Sequence, residues 1–131
     1  TEQQESVATA NNWDYELLQP DQLMEQNNQD VVLCKKAAGM FIDIWQDDKT
    51  ALFKATLEKD FHHIYGLVHR LRLNIRYFGR ESIESNAILI EKQAQSLQND
   101  AIEYSVKLFI KELDILSDEL THWVAQLEKE I

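Results

Sequence analysis

The chain has 131 residues, of which 44% are hydrophobic and 27% are charged, a composition typical of one globular domain with a single core. Its formal net charge of -10 argues against general binding to nucleic acids or to anionic membrane surfaces. No apolar run approaches the length of a membrane span, and the single cysteine, Cys34, cannot form an internal disulfide. These features predict a soluble, cytoplasmic protein without direct membrane insertion.

Helical periodicity dominates the chain, which has only three glycines and one proline. Residues 1–12 are polar and are predicted to form a disordered linker ahead of a domain that spans residues 13–131. Pro20 begins a short lead-in helix. A longer helix follows, in which Asp47-Asp48-Lys49 is either one exposed turn or a break. Its apolar positions, most of them expected in the core, are Leu33, Ala37, Met40, Phe41, Ile44, Trp45, Leu52, Phe53 and Leu57.

Three more helices are predicted in the second half of the chain. Asp60 caps a helix that runs to Phe78, and Gly79 ends it in a left-handed conformation. A helix over residues 82–97 has its inward side at Ile83, Ala87, Ile90, Ala94 and Leu97. A last, long helix follows, with Asn99 or Asp100 as its predicted cap. Narrow apolar stripes joined by short loops predict an all-α fold, an antiparallel four-helix bundle with a short N-terminal lead-in helix, monomeric in isolation.

Positive charge is concentrated in one segment of this acidic chain. Residues 61–80 contain all four arginines and no Asp or Glu, which predicts an anionic ligand or partner. On the predicted helix, His69 lies about 100° around from the buried stripe residue Val68, at the border between core and solvent. The residues on the ridge of His69 are His62, Tyr65, Arg72 and Arg76.

A histidine followed one turn later by an arginine suits a phosphoryl carrier. A neutral imidazole nitrogen is a nucleophile toward a phosphoryl group. The guanidinium of Arg72 can neutralise the transferred group and hydrogen-bond it in a fork. We therefore interpret His69 as a candidate phosphate carrier and Arg72 as its stabilising cation.

The segment His69-Arg70-Leu71-Arg72, with Gly79 ten residues after the histidine, resembles the signature of histidine phosphotransfer (HPt) domains. That signature reads His-x-Leu-Lys-Gly, followed by a second glycine. Arg72 stands where the family has lysine, and Leu73 stands where it has the first glycine. Further matches to the family pattern, which extends over roughly residues 13–127, are Phe41, Asp60, Ile83 and Glu91.

The resemblance implies a four-helix bundle in which His69 accepts a phosphoryl group from the aspartyl phosphate of one receiver domain and passes it to another. It implies a phosphocarrier of two-component signalling rather than a turnover enzyme, without a cofactor of its own, since the receiver supplies Mg²⁺. Such domains often end a hybrid sensor kinase, which would place the domain at the cytoplasmic end of a membrane-bound protein. The residues assigned to receiver binding are His62, Tyr65, Gly66, Leu73 and Arg76, and Asp60 and Gly79 are structural.

Leu73 motivates a second hypothesis. Helical side chains lean toward the N-terminus, so Leu73 is expected to lean toward His69 and restrict access to it. A degenerate module that binds a receiver without carrying phosphate, or an unrelated helical scaffold, are the alternatives. Glu119-x-x-His122 has the spacing of half a di-metal carboxylate site, but only one copy exists, so no metal is expected. Cys34 is predicted to be a core residue.

Overall fold

A computed structural model of the chain describes residues 15–77, 79–97 and 99–130. The predicted linker, residues 1–12, lies outside them. The described residues form five helices and contain no β-strand, so the fold is all-α, as predicted. The helices are α1 (Pro20–Gln26), α2 (Val31–Leu57), α3 (Phe61–Ile75), α4 (Glu81–Gln95) and α5 (Asn99–Glu130).

The four longer helices surround one core. Helix α2 contacts α3 and α5, and α4 contacts the same two helices, so the contacts form a closed ring, with α1 packed on α2. The largest side chains of the core, Trp45, Phe109 and Trp123, are fully buried. In the part of the chain that the structure describes, no helix is both long and apolar enough to cross a membrane.

Helix α2 runs without a break through Asp47-Asp48-Lys49, which settles the alternative that the sequence left open. Asp48 is buried on the inner stripe of α2, between Trp45 and Leu52, so its assignment to an exposed turn is wrong. Asp30 caps the helix, and its carboxylate accepts hydrogen bonds from the first free backbone N–H groups. A bundle helix buries only one stripe, and the predicted core residues that are exposed instead are Leu33, Met40, Phe53 and Leu57.

Asp60 and Gly79 bracket α3 in different ways. The carboxylate of Asp60 accepts a hydrogen bond from the backbone N–H of His63 at 3.1 Å, which confirms the predicted cap. The helix ends at Ile75, and no glycine in the described residues has a positive φ, so the left-handed assignment of Gly79 is wrong. A Cβ at Gly79 would lie 3.1 Å from Cδ1 of Ile83 and 3.2 Å from the carbonyl oxygen of Ile75. A side chain at this position would therefore be tightly packed against Ile83 and the end of α3.

Left-handed backbone conformations occur instead at non-glycine residues, namely Asn28, Gln29, Lys59 and Leu97. Leu97, predicted to point inward, follows the end of α4 at Gln95 with a φ of 57° and is 65% exposed. The prediction was wrong because α4 stops two residues before its apolar stripe does. Helix α5 begins at Asn99, so both residues predicted as its cap, Asn99 and Asp100, lie inside the helix.

Candidate functional site

His69 lies on α3 on the side that faces α4. Its side chain is 43% exposed, in agreement with a position between core and solvent. The Nδ1 atom of the imidazole lies 2.8 Å from Oε1 of Glu91, a residue of α4 whose side chain is only 9% exposed. One nitrogen of a half-exposed ring is therefore held by a buried carboxylate.

The contact with Glu91 has a consequence for the other ring nitrogen. A carboxylate accepts hydrogen bonds, so it favours the neutral tautomer of His69 that carries its proton on Nδ1. In that tautomer the lone pair lies on Nε2, and no group of the described residues hydrogen-bonds to Nε2. An acid that fixes the tautomer of a histidine whose second nitrogen reacts is also the arrangement of hydrolase triads.

Arg72 completes a three-residue cluster. Its Nε lies 2.7 Å from Oε2 of Glu91, an ion pair whose angles fall outside hydrogen-bond geometry. Its Nη2 lies 3.3 Å from Nδ1 of His69. Since Nδ1 points its proton at Glu91, which is closer, the Arg72–His69 contact is one of proximity rather than a second hydrogen bond. The charge of Glu91 is thus shared between His69 and Arg72.

The basic segment that the sequence predicts is largely compensated within the fold. Three of the four arginines face a carboxylate from another helix, and the fourth reaches a backbone carbonyl oxygen. The pairs are Arg70 with Asp48 (2.6 Å), Arg72 with Glu91 (2.7 Å), Arg76 with Glu84 (3.3 Å) and Arg80 with the carbonyl oxygen of Tyr15 (3.4 Å). Acids that are distant in sequence therefore neutralise part of the positive charge of this segment.

Tyr65 and Gly66 lie one turn before His69. The ring of Tyr65 is parallel to the imidazole, with 5.8 Å between ring centres and 5° between planes. Gly66 is exposed, and a Cβ built on it would meet nothing within 4 Å. One turn after the histidine, Leu73 is 45% exposed. On its N-terminal side the half-exposed imidazole therefore has the Tyr65 ring and the bare backbone of Gly66, and an exposed leucine lies one turn after it.

Two of the residues assigned to the site lie farther from it. His62 is exposed about two turns before His69, and Arg76 is about two turns after it, in its ion pair with Glu84. The structure thus brings Tyr65 and Arg72 to His69, and places His62 and Arg76 along the same helix without contact with the imidazole.

An apolar groove of about 270 Å³ lies near the C-terminal end of α3, between that helix, α1 and α2. Met40 and Tyr77 on its rim are 56% and 50% exposed. Its apolar lining is Leu23, Ala37, Met40, Phe41, Ile44 and Tyr77. Exposed apolar surface of this kind often marks a protein contact.

Glu91 and Asp48 are the site residues to which sequence reasoning gave no role. Both are acids on an otherwise apolar helix stripe: Asp48 lies between Trp45 and Leu52, and Glu91 follows Ile90. Buried acids are rare unless they are paired. An acid on an inward stripe was therefore the available signal that a cation or a histidine faces it.

Glu119 and His122 hold the N-terminal part of the described chain. The carboxylate of Glu119 accepts hydrogen bonds from three successive backbone N–H groups, those of residues 16–18, at 2.5, 2.9 and 3.0 Å. The hydroxyl of Tyr15 lies 3.0 Å from Nδ1 of His122. Burial, with a smaller contribution from the charge of Glu119, raises the pKa of Tyr15 to about 12.

Cys34 is fully buried, as predicted, and burial raises the pKa of its thiol.

The cluster on α3 and α4 can present a neutral imidazole whose free nitrogen is accessible and whose proton is fixed. Comparisons of the chain with family models, curated proteins and solved structures find no match. The geometry around His69 therefore carries the functional interpretation.

Proposed function

We propose that the chain is a phosphorelay histidine phosphotransfer protein, in which His69 accepts a phosphoryl group from a receiver aspartate and passes it to another receiver. The observation that carries this proposal is the 2.8 Å contact between Nδ1 of His69 and the buried carboxylate of Glu91. It leaves Nε2 as the nucleophile of a half-exposed ring. The resemblance of the segment from His69 to Arg72 to the HPt signature supports the same reading.

The proposed architecture is an antiparallel four-helix bundle preceded by a short lead-in helix. Its support is the closed ring of contacts among α2, α3, α4 and α5. The connections over residues 58–60 and 76–80 are short, as between antiparallel neighbours.

Glu91 would act in both directions of the transfer. The lone pair of Nε2 attacks phosphorus, the bond from phosphorus to the aspartate oxygen breaks, and the carboxylate leaves. The ring then carries a positive charge, with its proton still on Nδ1, and the carboxylate of Glu91 stabilises that charge. In the onward step the next aspartate attacks phosphorus, the N–P bond breaks, and its electrons return to Nε2, so no proton has to leave the ring.

Arg72 is the cation nearest to the transferred group. Its side chain is 19% exposed, and its Nη2 lies 3.3 Å from Nδ1 of the imidazole. To hydrogen-bond a phosphoryl oxygen on Nε2, the guanidinium would have to leave Glu91 and turn toward the opposite edge of the ring. The receiver would provide Mg²⁺ and would contact the surface around Tyr65, Gly66 and Leu73. The proposed location is the cytoplasm.

The test is phosphoryl transfer from a receiver domain charged with labelled acetyl phosphate and Mg²⁺. The wild type and the matched control His62→Gln should take up label, and His69→Gln should not. The label should be lost in acid, because a phosphoramidate is acid-labile whereas a serine ester is not. Label that persists in His69→Gln would refute the assignment.

A module that binds a receiver without carrying phosphate is the second candidate. Two observations favour it: the guanidinium of Arg72 is already paired with Glu91, and Leu73, one turn after His69, has a 45% exposed side chain where the HPt signature has glycine. This candidate predicts receiver binding that weakens with added salt, without any label on His69. Calorimetric titration beside the labelling experiment separates the two.

A further inference from the structure

Gly66 is not required by the packing of the fold. A Cβ at Gly66 of α3, or at Gly39 of α2, would meet nothing within 4 Å, whereas one at Gly79 would press on Ile83. Glycine inside a helix is less favourable than alanine. Gly66 therefore weakens α3 without improving any contact of the described residues, and Gly39 is a second example that lies away from the site.

The open space at Gly66 lies next to the imidazole of His69. Helical side chains lean toward the N-terminus, so the imidazole of His69 lies over the turn that holds Tyr65 and Gly66. The parallel stack of Tyr65 on the imidazole agrees with this direction. Beside that stack, Gly66 leaves the helix backbone bare.

The other approaches to the ring are narrower. Glu91 and Arg72 occupy the Nδ1 edge, at 2.8 and 3.3 Å. On the C-terminal side lies Leu73, whose side chain leans toward the histidine and is 45% exposed. The residues one turn from His69 on α3 are Tyr65, Gly66, Arg72 and Leu73, and of these Gly66 alone has no side chain. A reacting group that must reach Nε2 in line would therefore meet the least obstruction over Gly66, beside the Tyr65 ring.

We propose that the protein that exchanges phosphoryl groups with His69 approaches from the N-terminal side of the histidine, with its main chain lying against Gly66. This inference rests on the proposed function and adds the direction of docking. Only a position without a side chain lets a partner's backbone come so near the helix axis.

The surface around Gly66 also indicates the kind of loop that fits. His62 and His63 are exposed beside it, and no acid occurs in residues 61–80. Arg70 binds the buried carboxylate of Asp48 through Nη2, but 58% of its side chain remains exposed. A loop that carries carboxylates, such as one that surrounds a phosphorylated aspartate and its metal ion, is the occupant that this surface favours.

The experiment compares Gly66→Ala with the matched control Gly39→Ala, using two donors. One donor is a receiver domain charged with acetyl phosphate and Mg²⁺ that labels the wild type, and the other is phosphoramidate, a small molecule that needs no docking surface. Gly66→Ala should slow transfer from the receiver by about tenfold or more and leave labelling by phosphoramidate unchanged. Gly39→Ala should change neither. Alanine favours the helix, and circular dichroism checks that both variants are folded.

The outcomes separate this inference from the proposed function. If the receiver labels Gly66→Ala and the bulkier Gly66→Leu as fast as the wild type, the docking direction is wrong while the proposed function stands. If a folded Gly66→Ala loses labelling by both donors, the glycine acts on the imidazole itself and the docking proposal is also wrong. If neither donor labels wild-type His69, the proposed function fails, and the inference fails with it.

Discussion

The carboxylate of Glu91 lies 2.8 Å from Nδ1 of His69, across a sequence separation of 22 residues and between two neighbouring helices. The same carboxylate approaches Arg72 at 2.7 Å. A buried acid thereby orients the imidazole and holds the nearest cation. If His69 carries phosphate, Glu91 is its positioning residue.

Replacing Glu91 with glutamine should slow phosphorylation of His69 by about a hundredfold, because the amide cannot stabilise the positive ring. The loss should be the same with a receiver donor and with phosphoramidate, since Glu91 acts on the imidazole rather than on docking. Nitrogen chemical shifts of the His69 ring should show the Nδ1–H tautomer in the wild type and a changed tautomer balance in Glu91→Gln. Glu84→Gln, which removes the partner of Arg76, is the control and should transfer normally. A Glu91→Gln variant labelled at the wild-type rate would remove the residue from the mechanism.

Arg72→Gln should reduce transfer more than Arg76→Gln does. Arg72 lies 3.3 Å from the imidazole, while Arg76 is 54% exposed and pairs with Glu84 about two turns away. A charge-assisted contact to the phosphoryl group contributes roughly 1.5–3 kcal/mol, so the loss at Arg72 should be tenfold or more. Initial transfer rates from one charged receiver measure both variants. Equal losses would instead indicate a diffuse electrostatic effect of the segment.

The helices themselves could be predicted from sequence because residues close together in the chain determine where each helix forms. The apolar stripes fix the helix type, and Asp60 marks the start of α3 through a hydrogen bond to a residue three positions later. Local rules failed where a helix end was decided by packing. Gly79 packs closely against Ile83 and Ile75 without a left-handed conformation, and Leu97 takes the left-handed position that glycine usually fills.

The partners of the site could not be predicted, because they come from other helices. Asp48 faces Arg70, and Glu91 faces His69, each across 22 residues. In the sequence no acid lies within the basic segment, whereas in the fold acids from other helices neutralise much of its positive charge. Similarly, Glu119 and Leu17 are 102 residues apart, and only the fold reveals that the carboxylate of Glu119 accepts a hydrogen bond from the backbone N–H of Leu17.

The phenol of Tyr15 should titrate late, with a pKa of about 12. The neutral form is favoured in the folded state, so its contribution to stability is complete below the ordinary pKa near 10 and is lost as the pH rises from there toward 12. Near-ultraviolet absorbance should show one late tyrosine transition that disappears in Tyr15→Phe. Glu119→Gln should lower this pKa, because it removes a neighbouring negative charge. A late transition that survives in Tyr15→Phe would belong to another tyrosine.

Leu97→Gly should stabilise the protein by about 1 kcal/mol, since a left-handed conformation costs a leucine that much more than glycine. The side chain is 65% exposed, so little apolar burial is lost. Urea unfolding measures the change. Leu97→Ala is the control: it removes the same side chain but retains a Cβ at the positive φ, and it should bring no such gain. Equal effects in the two variants would show that the side chain, and not the backbone conformation, sets the stability.

Leu73→Gly tests whether access to His69 is limited on its C-terminal side. The substitution should cost about 1 kcal/mol of stability, because glycine is unfavourable inside a helix. Leu89→Gly is a matched control, since Leu89 lies inside α4 and is 46% exposed against 45% for Leu73. Urea unfolding should show similar losses for the two variants.

The effect of Leu73→Gly on phosphotransfer depends on the route that the receiver takes. If the receiver docks over Gly66, Leu73→Gly alone should change the transfer rate little, because the N-terminal approach is already open. In the Gly66→Ala background, the same substitution opens the opposite side of the imidazole and should restore part of the lost rate. Such non-additivity is expected only for residues that act on one shared contact. A large acceleration by Leu73→Gly in the wild-type background would make Leu73 the main obstruction and the C-terminal side the route. A slower but folded Leu73→Gly, with Leu89→Gly unaffected, would instead make the leucine side chain a contact that the receiver uses.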